Sequence, residues 1–170
     1  MSADEYPVLV DDWQFECCGE PFAVGDEVSW TLELIDGSRY PEAFRVSLVG
    51  DVVDLELDDV ATRMPGMSRR ALRRGPLTVA VGSGSPPYSG VLHEEHHDRV
   101  PRSLPATRGV VTSLGVCVER FTIQGVMWTA IPGSATTLDV ERTPDGFRTG
   151  TPEDGVAERE TGLLVRLRVI

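Results

Sequence analysis

The chain has 170 residues, 41% of them hydrophobic and 25% charged, enough for one domain with its own core and unlike a disordered or membrane-spanning chain. Its formal charge of -11 opposes long-range attraction to nucleic acid and to anionic lipid, so a general nucleic-acid role and a membrane role are disfavoured. The 16 basic residues are all arginine, with neither lysine nor asparagine present, a bias of GC-rich coding rather than a sign of phosphate recognition.

The opening stretch Met1 to Trp13 lacks the basic and apolar regions of a secretory leader, and no run approaches the ~18 apolar residues of a membrane span. The expected compartment is the cytoplasm, where Cys17, Cys18 and Cys117 are reduced thiols rather than a disulfide framework. Asp11, Asp12 and Trp13 read as an acidic turn with a partly buried indole leading into the two adjacent cysteines.

From Glu27 to Ile35, Val28, Trp30, Leu32 and Leu34 alternate with Glu27, Ser29, Thr31 and Glu33, the period of a strand with one core face and one wet face. The same period recurs at Val53, Leu55 and Leu57, at Leu77, Val79 and Val81, at Leu114, Val116 and Val118, and at Leu163, Val165, Leu167 and Val169. Phe121 to Ile131 is a further β-rich stretch. Ala61 to Gly75 predicts one short helix with Arg69, Arg70, Arg73 and Arg74 outward, although Pro65 and Gly66 interrupt it. Segments near 82–90 and 149–160 read as mobile connections. Short strands with frequent turns predict one mostly β domain over residues 1–170, a small barrel or sandwich of OB-like or SH3-like type.

The stretch Trp13-Gln14-Phe15-Glu16-Cys17-Cys18-Gly19-Glu20-Pro21-Phe22, continued by Val24-Gly25-Asp26-Glu27-Val28-Ser29-Trp30, resembles the opening of an actinobacterial family classified only as a domain of unknown function. His93-Glu94-Glu95-His96-His97, Thr107-Arg108-Gly109-Val110-Val111 and Trp128 with Pro132-Gly133-Ser134 extend the resemblance across most of the chain. It implies membership and no activity.

All three histidines fall in the segment His93-Glu94-Glu95-His96-His97, with two glutamates between them. Read as H-E-x-x-H, His93 and His97 would hold zinc and Glu94 would activate water in a hydrolase, which requires a helix that Gly90 and Pro101 oppose. A second zinc arrangement joins Cys17 and Cys18 to His96 or His97, so Cys17, Cys18, His93, His96 and His97 are the candidate metal ligands. A cysteine nucleophile served by a histidine base is a third use of the same residues. No residue is assigned a catalytic role. The leading expectation is a binding module with a protein partner, with a zinc hydrolase and a single-stranded nucleic-acid barrel as alternatives.

Overall fold

The computed structural model describes residues 4–56, 68–97 and 99–170. In chain order the elements are β1 (Glu5–Asp11), α1 (Asp12–Cys18), β2 (Glu27–Trp30), β3 (Leu32–Ile35), a 3-10 turn (Glu42–Phe44), β4 (Arg45–Leu48) and β5 (Asp51–Asp54). They continue with β6 (Arg70–Arg74), β7 (Leu77–Val81), β8 (Tyr88–Glu94), β9 (Thr107–Gln124), β10 (Met127–Ala130), β11 (Thr136–Asp139) and β12 (Val156–Val169). The domain is therefore mostly β, with a single short α-helix among the described residues.

The strands form one 12-stranded sheet whose main path runs β10-β9-β12-β1-β8-β3-β7-β6-β5. Among the described residues its ends do not pair with each other, so the sheet is not closed into the expected barrel. The reason lies in the long β9/β12 pair: the free side of β9 is taken in turn by the short strands β2, β11 and β10, rather than by β5. At the far edge, β5 is four residues long and ends on Asp51 and Asp54, features that discourage further strand pairing.

Strand β1 sits in the middle of the sheet, antiparallel to β12 and parallel to β8. Both of its faces are covered, which explains why Tyr6 to Val10 is an unbroken buried run instead of an alternating one. Val8 points into a cluster with Leu32, Leu72, Leu77, Val79, Leu92 and Leu167, whereas Leu9 joins Tyr40, Phe44, Val91, Cys117 and Leu164 on the other side. Val28 and Trp30 lean together on the first of these cores, as their spacing predicts. Val10 and Phe15 belong to a third cluster with Val111, Leu114, Leu163 and Val165, and this cluster seats the helix.

The expected helix over Ala61 to Gly75 is not where the helix lies. Arg70–Arg74 is strand β6, paired with both β5 and β7, because Ala71 and Leu72 must both be buried against flanking strands; residues 61–67 lie outside the described residues. The arginines consequently share no helical face, and Arg70 turns back to donate to the carbonyl oxygens of Gly82 and Gly84. Parts of the two expected connections are strand as well, since β8 starts at Tyr88 and β12 at Val156.

Candidate functional site

Helix α1 begins where β1 ends. Asp12 in its first turn is held by Arg159 of β12, and Phe15 buries itself in the third core. At seven residues the helix cannot persist on propensity alone, so this packing must hold it. Gly19 stops it: the Gly19 N–H donates to the Phe15 carbonyl at 2.9 Å, and any Cβ there would collide with Phe15. Cys17 and Cys18 are thereby left exposed on the last turn.

The second half of the site comes from the end of β8. Strand pairing stops at Glu94, and the Glu95 N–H donates to the Thr31 carbonyl at 2.9 Å, which turns His96 and His97 back over α1. The His96 Nε2 lies 3.1 Å from the Cys18 Sγ and the His97 Nε2 3.5 Å from it. Cys17, Cys18 and His97 each place one donor atom within 4.8 Å of the other two. The opposite nitrogen of His96, Nδ1, contacts the Glu94 carboxylate at 2.9 Å, which holds the ring in place. The Trp13 ring packs on His97 with centroids 4.6 Å apart, and His97 packs on His96 at 4.4 Å.

In a tetrahedral zinc site, bonds of about 2.3 Å to sulfur and about 2.0 Å to nitrogen put neighbouring S and N donors about 3.5 Å apart. The Cys18 to His97 and Cys18 to His96 separations fit that edge length within a few tenths of an ångström. Cys17, Cys18 and His97 are donors that suit zinc, with His96 beside Cys18 but outside that mutually close group. The Cys18 thiol is pushed above its ordinary range by loss of hydration first, then by the Cys17 thiol and the Glu94 carboxylate. Burial likewise raises Glu94, against the pull of His96.

His93 is not part of this set. It faces the opposite way into the sheet, 1% exposed, with Nε2 3.0 Å from Asp11 and Nδ1 3.3 Å from Glu33. Burial alone would lower its pKa, but the two carboxylates outweigh that and hold it at about 9. The H-E-x-x-H geometry fails for the same reason: His93 and Glu94 are consecutive residues of a strand, so their side chains leave on opposite faces and His93 and His97 share no helical face.

Beside Cys18, Glu94 and His96 opens a cleft of about 530 Å³ whose other walls include Phe15, Phe22, Val28 and Trp30. Glu95, which the sequence places among the histidines, is buried, and so is Glu33, which the sequence does not mark as a site residue. Alternation assigned Glu33 to a wet face, yet that face is covered, since Glu33 is buried and Ile35, two residues on, packs against the second core. Cys117 is buried in β9 and its thiol is raised far above its ordinary range, chiefly by burial, so it is a packing residue.

Among the described residues no helix is long and apolar enough to cross a membrane. No curated protein and no solved structure matches the chain. A family model does match, over residues 4–169, and on that match the chain belongs to the family of unknown function DUF6578.

Proposed function

We propose that the protein is a zinc-dependent binding module, in which Cys17, Cys18 and His97 hold the ion and His96 supplies the fourth donor. The observation that carries this reading is the convergence of Cys17, Cys18 and His97 donors from two distant parts of the chain, with His96 against Cys18. Glu94 behind His96 reproduces the carboxylate-histidine-metal arrangement by which proteins orient a ligating imidazole. The ion would tie the C-terminus of α1 to the β8–β9 connection and shape one wall of the aromatic cleft. Val126, Met127, Trp128 and Leu138 stand exposed on and near β10 and β11 and support a protein as the partner. With His96 as the fourth donor the ion would have no open position for a substrate, which favours binding over hydrolysis. Arginine-only basic residues and free thiols fit a GC-rich actinobacterial source and a reducing cytoplasm.

The test is elemental analysis of protein expressed with zinc supplementation. About one zinc per chain is expected in the wild type, falling below about a tenth in a Cys17→Ser/Cys18→Ser double variant that keeps its circular dichroism. A wild type free of stoichiometric metal would remove the reading.

One observation favours a second use of the same atoms. Cys18, His96 and Glu94 form a chain of contacts of 3.1 and 2.9 Å, the order of nucleophile, base and orienting carboxylate. The raised Cys18 thiol weighs against it, because a nucleophilic cysteine needs its thiolate. Iodoacetamide alkylation of metal-free protein at pH 7 separates the two: a rate well above that of an ordinary thiol would favour the nucleophile.

A further inference from the structure

Behind the cysteine cluster lies a second group of donors that the zinc reading does not use. Glu33 from β3, His93 from β8 and Glu95 just beyond it each place one donor atom within 4.8 Å of the other two, and all three residues are buried. Two carboxylates are withdrawn from water here and Asp11 faces His93 from its other side, so a protonated His93 alone does not balance the three acids. Among the described residues the Glu95 Oε2 has no hydrogen-bond partner, and the Glu33 Oε1 meets only the His93 Nδ1 at 3.3 Å and Arg99, outside strict hydrogen-bond geometry. The nearby cation, Arg99, is half exposed and stays 3.5 Å from Glu33 and 3.8 Å from Glu95, too far to satisfy either oxygen.

The arrangement behind His93 is equally pointed. Its Nε2 faces the Asp11 carboxylate at 3.0 Å, and the Trp13 indole N–H donates to the same Asp11 oxygen at 3.3 Å. A carboxylate on one nitrogen of an imidazole leaves the other nitrogen, Nδ1, aimed at Glu33 and Glu95, the geometry by which a second carboxylate orients a metal-bound histidine.

We infer that Glu33, His93 and Glu95 form a second divalent-cation site, distinct from the cysteine set and oriented by Asp11. One imidazole and two carboxylates suit a harder ion than the thiolate set does, and Mn2+ or Fe2+ is the class they select. Entry requires the Arg99 guanidinium to swing away from the two glutamates, which its half-exposed position allows. Glu95 couples the two sites, because its other carboxylate oxygen accepts from the His97 backbone N–H. Filling one site would thus steady the turn that carries ligands of the other. The inference stands on donors separate from those of the zinc centre.

Full-length protein is titrated with Mn2+, with and without prior zinc loading, following loss of the free-ion paramagnetic resonance signal and broadening of the histidine imidazole protons. One bound Mn2+ per chain is expected in both preparations, with His93 broadened most. Glu95→Gln should weaken Mn2+ binding by about tenfold or more, whereas Cys17→Ser/Cys18→Ser should retain it. No Mn2+ uptake by the wild type at millimolar concentration, or uptake that leaves His93 sharp, overturns the inference. Both outcomes are read on the wild type, so a variant that misfolds does not obscure them, and failure of the cysteine set appears separately as failure to load zinc.

Discussion

The sulfur of Cys18 and the Nε2 of His96 lie 3.1 Å apart although 78 positions separate them in the chain. The contact joins the only α-helix among the described residues to the turn after a central strand, so loss of an ion shared there should loosen both. Chelation of zinc-loaded protein is expected to lower the melting temperature, by the equivalent of about 4 kcal/mol if free zinc stood a thousandfold above its dissociation constant. Cys18→Ser should melt near the chelated wild type and show no further loss with chelator. Equal melting curves for loaded and chelated wild type would count against a shared ion.

Glu94 contacts His96 at 2.9 Å and reaches Cys18 through its charge, so its positioning role runs through the imidazole. Glu94→Gln should weaken zinc affinity by about 10- to 100-fold while leaving the stoichiometry at saturation unchanged. Competition with a chromophoric chelator measures this, and an unchanged affinity would show that the carboxylate contributes nothing to orienting the ring.

His93 carries a pH dependence in the metal-free protein. Its pKa is raised from an ordinary 6.5 to about 9, so the stabilisation is fully present below about 6.5 and is lost as pH rises through 9. A shift of that size corresponds to at most roughly 3 kcal/mol. Urea unfolding across pH 6 to 10 should show the wild type losing stability in this window, with His93→Gln less stable at pH 6 and flatter above it. A wild-type curve parallel to that of the variant would contradict the ion-paired state of His93.

Gly162 sits at a register shift in β12 opposite Asp11, with φ at +142°, and a Cβ there would collide with the Val10 carbonyl oxygen. Gly162→Ala should therefore cost about 1–3 kcal/mol in denaturant unfolding. Because Asp11 and the start of α1 follow directly, the variant should also bind zinc less tightly. A substitution without effect on either quantity would mean that the strand crossing tolerates a side chain.

The sequence made most strands legible where one face of a strand is covered and the other is wet, as in β2 and in the alternating parts of β9 and β12. It concealed β1, whose Tyr6 to Val10 run is buried on both faces and has no period to detect. Helix α1 was hidden by its length, because seven residues give too few turns for a pattern, and its stop at Gly19 depends on a close approach to Phe15. Donor chemistry marked Cys17, Cys18, His96 and His97, but not that they meet. His93 was grouped with them by proximity in sequence, yet it lies within β8 while His96 lies in the turn beyond, and that difference sends it to Asp11 and Glu33.

Zinc K-edge X-ray absorption of the loaded wild-type protein bears most directly on the proposed centre. Two sulfur scatterers at about 2.3 Å with two nitrogen scatterers at about 2.0 Å are expected, the sulfur shell vanishing in Cys17→Ser/Cys18→Ser. A shell made only of nitrogen and oxygen would contradict binding by Cys17 and Cys18.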